Sequence, residues 1–165
     1  MKYLLLACAL LCSSVHAEDG PMTSDQILEI IVELGDNVLV DGNIVRFEFA
    51  EVPIVYIYDN NADRMRFMTP IIEVDQLAEG MLLRAMQANF SSVLDARYAV
   101  SNGSVWAAFL HPTSQLTGVM VLSAMQQVAS AALTFGTEYS GGTITFGGGN
   151  DAPAEEEPAP EEHDT

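Results

Sequence analysis

Residues able to do chemistry are few in this 165-residue chain. Histidine occurs at His16, His111 and His163. A general base needs an orienting partner and a nucleophile in reach. His111, just before Pro112 at the end of an apolar run, supports an alternative reading as the base of a small periplasmic hydrolase. No Gly-x-Ser-x-Gly elbow surrounds Ser13-Ser14 or Ser91-Ser92. Asp59-Asn60-Asn61-Ala62-Asp63 gathers oxygen ligands, but an EF-hand loop takes twelve positions ending in a bidentate Glu. Asp and Asn are also what a tight turn selects. The glycines Gly141-Gly142 and Gly147-Gly148-Gly149 lack the strand–loop–Lys–helix setting of a phosphate cradle. No catalytic residue, metal ligand or cofactor is therefore expected, and the chain reads as a non-enzymatic one.

Charge and termini narrow the classes further. Lys2 opens a short positive segment, Tyr3–Cys12 is an apolar run, and Val15-His16-Ala17 places small residues at −3 and −1 of a cleavage site. Residues 1–17 thus read as a signal peptide cut after Ala17, making the mature chain periplasmic or secreted. That segment holds both cysteines, Cys8 and Cys12, so thiol chemistry and disulfides are not expected afterwards. It also holds the only lysine, which leaves Arg46, Arg64, Arg66, Arg84 and Arg97 against all 23 acids. Phosphate binding rests on neutralisation by Lys and Arg, so nucleic acid is excluded as an expected partner. No further stretch reads as a membrane span, since Val119–Leu133 is broken by Ser123, Gln126, Gln127 and Ser130.

The elements that must position any site follow from periodicity. Thr23-Ser24-Asp25-Gln26 is a capping-box pattern, and Ile27, Ile30, Ile31 and Leu34 keep the spacing of one buried helical stripe. Gly35 is expected to end this helix in the left-handed conformation. Val38–Val40 and Ile44–Phe49 flank Asp41-Gly42-Asn43 as a hairpin, and Val45, Phe47 and Phe49 alternate with Arg46 and Glu48. Val52–Tyr58 is a third strand, with Pro53 marking an edge or bulge. Arg64–Met68 is a fourth, expected to stop before Pro70. A second helix is expected from Asp75 to about Phe90. Ala96–Val100 and Val105–Leu110 flank Asn102-Gly103, the strongest hairpin signal present. A third helix, apolar on most of its circumference, runs from about Gln115 or Gly118 to Leu133.

The order is α-β-β-β-β-α-β-β-α, and consecutive hairpins make the sheet antiparallel: an α+β fold. Residues 18–135 form the domain and 136–150 a Gly-rich linker. Residues 151–165 form an acidic tail with seven carboxylates, too poor in apolar residues to order itself. Apolarity on both faces of two strands points to a site. Val55 and Ile57 lie opposite Ile54, Tyr56 and Tyr58, while Trp106, Ala108 and Leu110 lie opposite Val105, Ala107 and Phe109. An antiparallel sheet commonly leaves one face wet. Either the helices cover both faces, or Val55, Ile57, Trp106, Ala108 and Leu110 meet a partner. Met65, Met68, Met81, Met86, Met120 and Met125 are read as core methionines that also suit an adaptable surface.

The element order carries a family resemblance. So do the helix ending Leu34-Gly35, the strands Ile44–Phe49 and Val52–Tyr58, and Asp75-Gln76-Leu77 leading into Leu82–Phe90. An Asn-Gly hairpin and a last apolar helix complete it. From about Ser24 to Phe135 the chain resembles the YbjN family, sometimes labelled putative sensory transduction regulators, and the type III secretion chaperones of the Tir-chaperone class. The resemblance implies a type III secretion chaperone-like α+β domain, often a homodimer, that binds protein segments. The expected function is an exported binding module, its partner a protein segment or a second copy; a structural envelope stress protein without a discrete ligand is the further alternative.

Overall fold

The computed structural model describes residues 20–142. The expected signal peptide, the rest of the Gly-rich stretch and the acidic tail lie outside the described residues.

The first helix, α1 (Ser24–Leu34), starts on the capping box read from its sequence. Thr23 Oγ1 accepts from the Gln26 N–H at 3.2 Å, and Gln26 Oε1 accepts from the Thr23 N–H at 2.9 Å. Ile27 and Ile31 are fully buried, whereas Leu34 is exposed. The helix ends at Gly35, but not in the left-handed region expected: its φ is −104° and its ψ 156°. Glycine is required there by close approach. A Cβ would lie 2.8 Å from the Ile31 carbonyl oxygen and 2.8 Å from the Phe47 ring.

Four strands follow: β1 (Asp36–Asp41), β2 (Ile44–Phe49), β3 (Val52–Asp59) and β4 (Arg64–Glu73). After helix α2 (Met81–Ser91) come β5 (Arg97–Ser101), β6 (Ser104–His111) and helix α3 (Gly118–Leu133). All neighbours pair antiparallel in the order β1-β2-β3-β4-β6-β5. The fold is α+β, as the hairpin pattern predicts. Asn102 (φ 51°) and Gly103 (φ 81°) make the mirror-image turn their dipeptide favours. Ala50 (φ 51°) and Glu51 (φ 64°) make a similar turn without either favoured residue.

Two boundaries differ from expectation. β4 continues through Pro70 to Glu73, and the register with β6 shifts between Pro70 and Ile72. A residue without an N–H is accommodated at that irregularity instead of ending the strand. α2 begins only at Met81, because Gly80 adopts φ 78° as its N-cap; the preceding Val74–Gln76 is a separate 3₁₀ turn. The Asp75-to-Phe90 helix is thus two pieces, and Gly80 separates them where it was read as an interior weakness.

The core lies on one face of the sheet. α3 packs against β2, β3, β4 and β6, with α1 beside it and α2 against β5. All three helices send residues into this core: Ile27 and Ile31 from α1, Ala85 and Ala88 from α2, Val121, Ala124, Met125 and Val128 from α3. Of the six methionines read as core, Met65 and Met125 are buried, Met68 and Met81 are half-buried, and Met86 and Met120 are exposed. Packing also runs past Phe135. Tyr98, Phe135 and Tyr139 meet edge to face at 5.3–6.0 Å, and the Gly141 N–H donates to the Ser92 carbonyl at 2.9 Å. Residues 136–142 therefore belong to the fold, not to a linker.

One sheet edge is closed by a side chain. The Asn89 amide of α2 donates to the Tyr98 carbonyl at 3.0 Å, and its Oδ1 accepts the Tyr98 N–H at 2.7 Å. The bare side of β5 is paired there as a seventh strand would pair it.

Candidate docking face

Residues directly opposite across antiparallel strands share a face. The register therefore assembles a row on the side away from the helices: Leu39, Arg46, Val55, Met68, Ala108 and Arg97, one from each strand. A second row runs Asp41, Ile44, Ile57, Arg66 and Leu110. Pro70, Trp106 and Ala99 continue the face beyond the first row. Val55, Ile57, Trp106, Ala108 and Leu110, singled out on alternation alone, all lie on this face. Ala108 is walled in by its neighbours, Val55, Ile57 and Trp106 are half-buried, and Leu110 is 54% exposed.

The face is hollowed. A groove of about 380 Å³ is lined by Met68, Trp106, Ala108 and Leu110 with Arg66 at its side. A second hollow of about 530 Å³, between Ile57, Tyr58 and Arg64, shares Arg66 and Leu110 with the first. Trp106 is held in place by its indole N–H, which donates to the Ser101 carbonyl at 3.1 Å. No element of the described residues covers these side chains from above, since all three helices bury their apolar residues on the opposite side.

Charge was the part missed by sequence reasoning. Arg46 stands between Leu39 and Val55, Arg66 between Ile57 and Leu110, and Arg97 beside Ala108. In a chain of net charge −17, three arginines thus have apolar cross-strand neighbours where acids were available. The acids of the same face stand at its margins: Asp36, Glu48 and Glu73 at one end, Asp41 and Asp59 at the other. Glu48 accepts from the Asn37 amide at 3.1 Å. The signal was present in the alternation of Arg46 with Val45 and Phe47, and of Arg66 with Met65 and Phe67. Met68 was absorbed into the core list although the same alternation turns it outward.

The groups considered for chemistry are occupied otherwise. His111 lies parallel to Phe109 with centroids 6.0 Å apart, and its Nδ1 meets the Pro112 carbonyl at 2.9 Å. Ser114, the nearest hydroxyl along the chain after Thr113, donates from Oγ to Asp63 at 2.6 Å and not to the imidazole. Its N–H donates to the same carboxylate at 2.8 Å. Those bonds hold the Asp63 carboxyl below its ordinary range, with Ser114's hydroxyl the first cause. Asp59 Oδ1 accepts the N–H groups of Asn61 and Ala62, so the acids of the Asp59–Asp63 turn shape the loop. Among the described residues, no three His, Cys, Asp or Glu side chains cluster as a metal site, and no helix is long and apolar enough to cross a membrane.

No family model matches the chain, and no curated protein is found similar in sequence. Solved structures are. The type III secretion chaperone SycH of Yersinia pestis, in complex with a stable fragment of YscM2, superposes with a TM-score of 0.53 at 13% identity, over 68% of this chain and 98% of that one. The HopA1–SchA chaperone–effector complex gives 0.52 at 10% identity, over 65% and 87%. The ExsC–ExsE complex gives 0.50 at 18% identity, over 64% and 84%. The fold is type III secretion chaperone-like. At these identities the likeness extends to the arrangement of helices and strands and no further.

Proposed function

We propose that this chain is an exported, non-enzymatic binding module, of the YbjN kind, that holds a protein segment against its outer sheet face. The observation that carries this reading is the row Val55–Met68–Ala108 with Ile57, Trp106 and Leu110 around it: an apolar, hollowed surface that no helix of the described residues covers. Large apolar patches that stay open mark interaction sites more often than chance. The solved structures of like fold, each described as a complex, support a partner of protein nature. The export reading rests on Lys2, the run Tyr3–Cys12 and the Val15-His16-Ala17 site. The non-enzymatic reading is supported by His111, whose Nδ1 is spent on a backbone carbonyl.

A photo-crosslinking residue at Leu110, compared with one at exposed Glu29 on α1, tests the face in an envelope extract. The expected result is a discrete adduct from position 110 that Met68→Asp abolishes and His111→Ala leaves intact. Equal adducts from both positions would overturn the docking face, and loss of the adduct in His111→Ala would favour the hydrolase. A second copy is the other occupant of the same class; light scattering of the full chain distinguishes it, because only self-association doubles the mass.

A further inference from the structure

Along β4 the outer face changes character. Pro70, Met68, Arg66 and Arg64 project outward there in turn, and residues two apart on a strand stand about 7 Å from one another. Pro70 and Met68 lie opposite Trp106 and Ala108 and make an apolar half. Arg66 comes next, between Ile57 on β3 and Leu110 on β6. It lines both hollows of the face, so this exposed side chain stands where the two meet. Other arginines of the face are engaged: Arg97 donates to the carbonyls of Leu94 and Ala96, and Arg64 to that of Asp63. Arg66 makes no such bond among the described residues. The acid of the neighbouring strand, Asp59, lies opposite Arg64, and its Oδ1 accepts the N–H groups of Asn61 and Ala62.

A guanidinium presents a planar fork of donors that matches a carboxylate. The net charge of −17 does not reverse that preference. Distant acids are screened over about 8 Å at physiological ionic strength, whereas the ion pair forms at contact. An extended segment also projects alternate side chains about 7 Å apart, the interval found along β4. The geometry points to a partner of defined chemistry: an extended protein segment with two apolar residues and a carboxylate at alternate positions. The apolar pair lies over Trp106 and over Met68 with Ala108, and the carboxylate lies on Arg66. This rests on the docking-face reading and deepens it by stating which segment the face selects. Either chain direction satisfies the spacing. A lysine in place of the acid is rejected, because it meets Arg66 with like charge.

Trp106 is the only tryptophan in the chain and lines the groove, so its emission reports an occupant. The probes are the blocked, dye-labelled peptide Ser-Leu-Ser-Leu-Ser-Glu-Ser and its reverse, each also made with Gln or Lys replacing Glu. Their binding to the full chain is read by anisotropy at physiological salt. At least one Glu peptide is expected to bind and to shift Trp106 emission. Its Gln form should bind about fivefold more weakly, the upper end for an exposed ion pair, and its Lys form more weakly still. In Arg66→Gln, with circular dichroism confirming the fold, the Glu and Gln forms should bind alike. Equal binding of the two forms to the unaltered chain would overturn the proposal, as would a preference for Glu that survives Arg66→Gln, or no binding of either Glu peptide. Oligothymidylate that binds the unaltered chain but not Arg66→Gln would also overturn it, by assigning the arginine to phosphate. The Leu110 crosslink separates the two claims. With the adduct retained, failure of the peptides removes the carboxylate preference alone; with the adduct lost, the docking face falls as well.

Discussion

Asp63 illustrates how one acidic side chain becomes structural in a chain with an excess of acids. Its carboxylate receives both the N–H and the hydroxyl of Ser114, joining the β3–β4 turn to the segment before α3. Because those bonds favour the ionised form, the folded protein holds this carboxyl below the ordinary aspartate value of 3.8. The linked stability is full above that value and is lost as pH falls through the folded one. Urea unfolding between pH 7 and 2.5 should therefore show a loss at the acid end that is smaller in Asp63→Asn. Two buried polar groups should respond to deletion with opposite signs. Gln127 is 5% exposed, and its Oε1 accepts the N–H groups of Asp95 and Ala96 at 2.9 and 3.0 Å. Gln127→Leu orphans both donors and should cost about 2 kcal/mol in the same assay. The Tyr56 hydroxyl is buried with no hydrogen-bond partner among the described residues, and burial pushes its pKa far above the ordinary phenol range. Tyr56→Phe removes that unmet group while keeping the ring between Tyr58 and Phe67, so stability should rise by about 1 kcal/mol.

Among the elements, the β2–β3 turn is built against its residue preferences at two successive positions. Ala50 and Glu51 both sit at positive φ, where a Cβ costs about 1–2 kcal/mol per residue. Replacing them with Asn-Gly, the pair that already closes the β5–β6 hairpin, should raise stability by about 1–2 kcal/mol, seen as a higher melting temperature with the same near-ultraviolet spectrum. Local patterning made much of the fold readable: the capping box at Thr23, the alternation around Arg46, the Asn-Gly turn and the many-sided burial of α3 are all short-range signals. The missed boundaries have tertiary causes. Pro70 stays inside β4 because a register irregularity absorbs it, and Gly35 answers to the approach of Phe47 across the sheet. The candidate site was legible as five residues on two strands. Its arginines were not: Arg46 stands opposite Val55 and Arg97 opposite Ala108, but those two hairpins become one face only through Met68 opposite Ala108 and Arg66 opposite Leu110. No local pattern specifies that β4 pairs with β6 in preference to the nearer β5.

The whole molecule separates its charges unevenly. Twenty-three acids against six bases leave a chain that repels polyanions at distance, yet Arg46, Arg64, Arg66 and Arg97 share one face. Those four should not suffice for duplex DNA or RNA, whose binding scales with the number of phosphates neutralised. A gel shift at low salt and neutral pH should show no retarded band; a band that vanishes with added salt would make the outer face a polyanion site instead. The two margins of the sheet also differ in a way that bears on how the protein survives crowding. At one, the Asn89 amide takes up the backbone pair of Tyr98. At the other, β1 pairs with no strand but β2 among the described residues, and it begins and ends with Asp36 and Asp41, both exposed. Growth of one sheet onto another needs a free strand and tolerates little charge along it. Copies meeting at β1 in antiparallel fashion would set aspartates near aspartates at each end of the seam, and copies meeting at β5 would first have to pull Asn89 away. Six strands can then stay one molecule wide, and concentrated protein has no ready seed from which to build a fibre.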